Sequence, residues 1–264
     1  MQGRRMIVRR LLALTAVLLC CGAFAGRVSA GRPAKGCNVI FIGNSITYGA
    51  RHADRSRTAP PVVAAARVAR ITGCGVEFRN CGRSGATTVD FLPERDADFR
   101  RVEQAAAELR EMNGRPAVFS IMLGTNDSAS TAATGAPVSD EDYGRNLMAI
   151  IGRLREICPG AVFVLQRPIW YSPNTYNGAM YLVAGQRRLA GYAAVLERLA
   201  AENDDIYMGD TEGYDYFRRH CSRLFVPEEG NAGTFFLHPN EKGSRKLGRL
   251  WAKAIAAALE AAGY

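Results

Sequence analysis

Four short segments of this 264-residue chain hold residue types that could act together on a polarised bond. The first is Gly43–Asn44–Ser45–Ile46–Thr47–Tyr48–Gly49, directly after the apolar run Val39–Gly43. A serine just past a buried strand, beside a glycine that allows a tight turn, is placed to be an exposed nucleophile. The competing use is a turn serine that caps a helix. The segment is not the G-x-S-x-G elbow, because Thr47 stands where the second glycine belongs. No Gly-Lys-Ser/Thr follows to form a phosphate loop, and no G-x-G-x-x-G completes a dinucleotide site.

The second segment, Asn80–Thr88, contains Gly82 and Gly85, where a bare backbone lets an N–H approach a ligand closely, as an oxyanion donor must; otherwise it is an ordinary turn. In the third, Gly124–Thr125–Asn126–Asp127, the Asn126 carboxamide can offer an N–H to a crevice or close an Asx turn. In the fourth, Leu237–His238–Pro239–Asn240, proline keeps His238 out of helical geometry and predicts an imidazole on an extended loop. His52 and His220 have no such setting and read as surface or structurally satisfied residues. A hydroxyl attacks an ester carbonyl once a base takes its proton, a role that suits imidazole near neutral pH. That chemistry requires no metal or organic cofactor.

These segments need elements to hold them. Val39–Gly43, Val76–Asn80, Ala117–Leu123 and Ala161–Leu165 read as strands, and Ile206–Met208 as a shorter one. Three of them are continuously apolar, as strands covered on both faces are. Helical patterns lie between them at Pro61–Ile71, Phe99–Met112, Asp142–Ile157 and Leu182–Ala201, with a last one over Glu241–Ala261. Leu147, Ile150, Ile151 and Leu154 form one stripe, and Ser139-x-x-Asp142 is a capping start. The alternation predicts an α/β fold: one domain over about 37–264, a three-layer α/β/α sandwich with a mostly parallel sheet. In such sheets ligands bind beyond the carboxyl ends of the strands, where the four segments fall.

The chain carries a formal charge of +9, which would ordinarily suggest nucleic acid or an anionic membrane as partner. However, Arg4, Arg5, Arg9 and Arg10 precede the uncharged run Leu11–Gly26, followed by Ala23–Phe24–Ala25 and Val28–Ser29–Ala30. Basic head, short apolar middle and small-residue sites predict a secretory signal peptide over 1–30. The run of 16 residues is shorter than a membrane span, although a retained anchor is the alternative. Processing before Cys21 would instead leave a lipidated cysteine. Five of the 34 basic residues and none of the 25 acidic ones lie in 1–30, leaving 29 against 25, a charge of +4. Nucleic acid is therefore not expected as a partner, nor a stable membrane span after signal removal, and the product is expected outside the cytoplasm. Cys37, Cys74, Cys81, Cys158 and Cys221 remain, an odd set in no zinc pattern, and are expected as free thiols.

The four segments, FIGNSITYG, NCGRSGATT, GTND and LHPNEKG, resemble in order the four blocks of the SGNH (GDSL-type) hydrolases, and the resemblance covers essentially the whole chain after the leader. It implies a flavodoxin-like version of the fold, with Ser45 as nucleophile and His238 as its base. The Ser45 and Gly85 backbone N–H groups and the Asn126 side chain would then form the oxyanion hole. Two departures stand out. The family commonly has Gly-Asp-Ser where this chain has Gly-Asn-Ser, and an Asp three residues before the histidine, where this chain has Phe235. His238 must then be oriented otherwise: by a backbone carbonyl, by Glu228 or Glu229, or less directly by Asp210.

The loop Arg167–Tyr181 carries Trp170, Tyr171, Tyr176 and Tyr181 beside Asn174 and Asn177. Flat faces and amides beside the crevice would hold a sugar ring; the alternative is a packed loop whose aromatics seal the core. With export, this favours removal of acyl groups, acetyl first, from a small-molecule or polysaccharide ester. A lipolytic or general short-chain acylhydrolase and a non-catalytic glycan-binding protein are the alternatives.

Overall fold

A computed structural model describes residues 36–95, 97–176 and 180–264. The expected leader over 1–30, with Cys21, and Asn177 of the aromatic loop lie outside the described residues.

The chain runs β1 (Gly36–Gly43), α1 (Ser45–Tyr48), α2 (Arg55–Thr58), α3 (Pro60–Thr72), β2 (Gly75–Asn80), α4 (Ala97–Asn113), β3 (Ala117–Met122), α5 (Asp140–Ile157) and β4 (Val162–Leu165). It continues through α6 (Leu182–Glu202), β5 (Ile206–Met208), α7 (Gly213–Arg219), α8 (Cys221–Leu224), β6 (Phe225–Gly230), β7 (Gly233–Pro239) and α9 (Glu241–Ala261). Strands β1 to β5 form a parallel sheet in the order β2-β1-β3-β4-β5. That order is the flavodoxin-like one, and its direction of winding reverses between β1 and β3.

Residue parity explains the layers. On β1, Val39 and Phe41 pack with Ala64 and Val68 of α3 and Trp251 and Ile255 of α9. Ile40 and Ile42, facing the other way, pack with Phe99 of α4, Leu147 of α5 and Leu196 of α6. Phe41 stacks on Trp251 with centroids 6.0 Å apart, and both are essentially inaccessible to solvent. Burying a side chain of this size contributes about 1.5–3 kcal/mol. Ser139 caps α5, its Oγ accepting from the Asp142 N–H at 3.0 Å, and Asn240 caps α9, accepting from the Gly243 N–H at 3.0 Å. The five cysteines of the described chain are unpaired; burial pushes the Cys37 and Cys81 thiols up to about 11. Among the described residues no helix is long and apolar enough to cross a membrane.

The antiparallel hairpin β6–β7 corrects the sequence expectation of a loop in this region. Its first strand reads Phe-Val-Pro-Glu-Glu-Gly, with a proline, two acids and a glycine in place of an apolar pattern. His238 therefore lies on a strand rather than on an extended loop.

Candidate active site

Ser45 opens α1 directly after β1, and Asn44, not Ser45, does the capping: its Oδ1 accepts from the Ile46 N–H at 3.0 Å. The serine hydroxyl is thus left for other work, and the Ser45 N–H is one of the unpaired donors at a helix start. Gly82 lets the next segment lie against α1, since a Cβ there would come within 2.4 Å of the Tyr48 nitrogen. Asn80 Nδ2 donates to the Thr47 carbonyl at 2.9 Å, and the Arg83 N–H donates to the Gly43 carbonyl at 2.9 Å.

Facing Ser45 is the hairpin. Ser45 Oγ lies 3.0 Å from His238 Nε2, and Glu228 Oε1 lies 2.7 Å from His238 Nδ1. A carboxylate only accepts, so Nδ1 carries the proton and Nε2 is free to accept from the serine. Of the four candidates for orienting His238, the structure brings Glu228 to it. Glu229 Oε1 instead accepts from the Thr234 hydroxyl at 2.9 Å, and Asp210 accepts from the backbone of Glu212 and Gly213.

A register shift in the hairpin brings the two side chains together. Glu228 pairs with Phe235 and Pro227 with Phe236, but Phe225 pairs with Pro239, so β7 holds one extra residue in between. Residues directly opposite share a face, and faces alternate along a strand, so an unbroken ladder would turn His238 away from Glu228. The bulge reverses that parity. Leu237 and His238 are both buried in consequence.

Arg51, for which the sequence carries no signal, completes the arrangement. Its Nε and Nη2 lie 2.8 and 2.7 Å from Glu228 Oε2, and its backbone is held at φ 68°. Burial works against a charged Glu228, but the hydrogen bond and charge of His238, followed by those of Arg51, outweigh it and hold its pKa below the ordinary glutamate value. The adjacent His52 ring sits between Thr58 Oγ1, the Pro239 carbonyl and Ser244 Oγ, fixing the chain beyond His238.

The other two residues expected as donors, Gly85 and Asn126, lie past two other strands. Gly85 is exposed at φ 80°, conformational space that glycine enters freely, and its N–H makes no hydrogen bond among the described residues. Asn126 Nδ2 donates to the Ala86 carbonyl at 2.8 Å, joining this segment to the second. Asp127, fully buried, accepts from the Thr88 N–H and hydroxyl at 2.8 and 2.5 Å and from the Gly124 N–H at 3.0 Å; burial lifts its pKa to about 6. Asp127 therefore ties the two segments together.

The aromatic loop corrects the sugar-platform expectation at Tyr171. Tyr171 is completely buried, its hydroxyl 2.9 Å from Ser128 Oγ, and Trp170 packs edge-on against Phe225 with centroids 6.1 Å apart. Asn174 Nδ2 donates to the Ala232 and Thr234 carbonyls, stitching the loop to the hairpin instead of facing a ligand. Tyr176, half-buried against Phe235 and close enough to feel the Glu228 charge, lies beside the site. A cavity of about 760 Å³, lined by Cys37, Cys74, Pro116 and Leu259, lies at the amino ends of the strands, remote from these groups. No set of three or more His, Cys, Asp or Glu side chains among the described residues is placed to hold a metal ion.

Comparison with known proteins agrees with this architecture. Residues 41–246 match the model of the GDSL-like Lipase/Acylhydrolase family. No curated protein matches the chain. Among solved structures, a carbohydrate acetylesterase from Sinorhizobium meliloti superposes with TM-score 0.57 at 16% identity, over 83% of this chain and 98% of that one. An acetylxylan esterase from Geobacillus stearothermophilus superposes with TM-score 0.56 at 18% identity, over 88% and 96%. An α/β hydrolase from the Lake Arreo metagenome gives 0.55 at 22%, over 87% and 96%. At these identities the likeness is one of fold. With the family model spanning most of the chain and every block at its strand end, the protein belongs to the GDSL-like lipase/acylhydrolase family and is a carboxylic ester hydrolase.

Proposed function

We propose that the chain is an exported serine esterase that removes small O-acyl groups, acetyl first, from carbohydrates. The observation that carries this is the line Ser45 Oγ–His238 Nε2, His238 Nδ1–Glu228 Oε1, with bond lengths of 3.0 and 2.7 Å. In the first step Ser45 Oγ attacks the ester carbonyl while His238 Nε2 takes its proton. The imidazolium is stabilised by Glu228. The negative oxygen of the tetrahedral intermediate is met by the Ser45 and Gly85 N–H groups and Asn126 Nδ2. Collapse expels the sugar hydroxyl, which leaves with the proton from His238, and the acyl group stays on Ser45. Water, deprotonated by the same imidazole, then releases the acid and restores the serine.

The carbohydrate part of the proposal is supported by Tyr176 beside the site and by fold relatives named as a carbohydrate acetylesterase and an acetylxylan esterase. Tyr171, completely buried, does not contribute to it. Export is supported by the basic-then-apolar pattern over 1–30. The test is acetate release from a panel of acetylated polysaccharides, with Ser45→Ala as control, beside a chain-length series of p-nitrophenyl esters. Acetate release that disappears in the variant is expected; activity that rises beyond eight acyl carbons would assign a lipolytic role instead. An inactive wild type would favour a glycan-binding protein.

A further inference from the structure

Tyr181, at the end of the aromatic loop, is buried, its ring edge-on to Tyr171 with centroids 4.9 Å apart. A buried phenol needs a hydrogen-bond partner. Its partner is Asn126 Oδ1, 2.5 Å away. The opposite corner of that amide is equally determined. The Ala86 carbonyl can only accept, so the atom 2.8 Å from it must be Nδ2, not Oδ1. Oδ1 then faces Tyr181, and the phenol must be the donor. Turning the amide over would set two acceptors against each other at Ala86. Of the two hydrogens on Nδ2, one is taken by Ala86 and the other has no acceptor among the described residues.

We propose that Tyr181 is a positioning residue for the oxyanion donor Asn126, locking the plane of its amide so that the free Nδ2–H faces the crevice. A donor at Oδ1 also draws electron density from the amide and makes the remaining N–H a stronger donor when negative charge develops. The loop is anchored close by, where the Ser130 N–H donates to the carbonyl of Met180, next to Tyr181, at 2.6 Å. The aromatic loop thus acts on the reaction through the amide, from behind the site. The inference rests on the ester-hydrolase proposal for the same site and extends it to a residue that does not touch substrate.

The experiment is a double-mutant cycle of Tyr181→Phe and Asn126→Ala, read as kcat and KM on p-nitrophenyl acetate and as affinity for an alkyl boronic acid, a tetrahedral mimic. Tyr181→Phe alone is expected to lower kcat about 10-fold, the loss of one well-placed hydrogen bond, at unchanged KM. Boronate affinity should fall in parallel, because the interaction belongs to the transition state. Asn126→Ala should cost about 10²–10³-fold in kcat, and adding Tyr181→Phe to it should change nothing further. A further 10-fold loss in the double variant would show that Tyr181 acts by another route and would overturn the proposal. A wild-type kcat in Tyr181→Phe, or a loss confined to KM, would overturn it as well. If Asn126→Ala itself keeps the wild-type kcat while Ser45→Ala is inactive, the oxyanion role of Asn126 fails, and the positioning role with it.

Discussion

The two halves of the site are built on different principles. The half proposed to receive negative charge lies past neighbouring strands of one parallel sheet: Ser45 follows β1, Gly85 follows β2 and Asn126 follows β3. These strands are hydrogen-bonded neighbours, so the three residues follow adjacent strand ends beside the point where the winding of the sheet reverses. The half proposed to move the proton belongs to a separate two-stranded sheet, in which His238 and Glu228 meet across the hairpin through a one-residue bulge. A carboxylate three residues before the histidine would need only a local turn. Here the same orienting job is done by a partner ten positions upstream, and the position three before the histidine is occupied by buried Phe235. One half is set by fold topology, the other by local register, and they should differ in what breaks them.

The largest effects are expected where the halves meet. Ser45→Ala and His238→Ala should each lower kcat on the order of 10⁶-fold, and the double variant should be no worse than either, as stopped-assay turnover would show. Additive losses would mean that the 3.0 Å contact between them is not used in the reaction. Next comes Glu228→Gln, which keeps the shape but cannot stabilise an imidazolium and allows the wrong tautomer; a loss of about 10³–10⁴-fold in kcat is expected. If Glu229→Gln produced the same loss, the register argument would fail, since Glu229 bonds to Thr234 instead.

The same contrast decides what is legible in the sequence. The sheet can be read because buried parallel strands are mostly apolar runs: VIFIG, AVFSIM (interrupted by Ser120) and VFVL stand out, and Ile206–Met208 matches its strand end to end. Ser45 and Asn126 can be placed because each lies just past such a run; Gly85 follows the mixed strand Gly-Val-Glu-Phe-Arg-Asn and can be placed by its own block. The hairpin cannot. Val-Pro-Glu-Glu has no apolar alternation, and its pairing depends on a bulge that no spacing rule records. By sequence Glu228 is therefore one of several candidates, singled out only by the cross-strand register. Arg51 leaves no trace at all, because an arginine on an exposed turn is an ordinary surface residue. The aromatic loop misleads at Tyr171 for a related reason: aromatic density marks buried packing as often as a sugar platform, and composition does not say which face is covered.

A smaller effect tests how the halves are joined. Arg51 lies six residues past Ser45 on the sheet side and holds Glu228 on the hairpin side. Among the described residues, the charged and titratable groups around the Glu228–His238 pair are Arg51 and the Tyr176 phenol, the latter kept protonated by burial and by the Glu228 charge. Removing Arg51 leaves Glu228 uncompensated, which favours both the protonated carboxyl and the imidazolium. The acid limb of kcat/KM should therefore move to higher pH in Arg51→Gln, with about a 10-fold loss near neutrality, the scale of one charge-assisted hydrogen bond. Arg51→Lys should leave the limb near its wild-type position, because the charge is retained. Half of the Arg51 side chain is exposed, so the effect should shrink as salt is added. A limb that does not move in Arg51→Gln would make this contact a structural tie only.

The smallest effect is expected at the seam between the aromatic loop and the hairpin. Asn174 Nδ2 reaches the Ala232 and Thr234 carbonyls at 3.1 and 2.9 Å, at the turn that joins β6 to β7. These bonds are exposed, so Asn174→Ala should change unfolding free energy by only about 1 kcal/mol or less, measurable by urea titration. Its consequence for catalysis should be selective. The sheet half does not depend on the seam, so boronate affinity, which reads the oxyanion donors, should stay close to wild type. The hairpin half does depend on it, because freeing the turn loosens the strand pair that holds Glu228 against His238, and kcat should fall about 3-fold. Equal losses in kcat and in boronate affinity would mean that the two halves are mechanically continuous. A loss in kcat alone would confirm that the proton-moving half can be disturbed while the charge-receiving half stays in place.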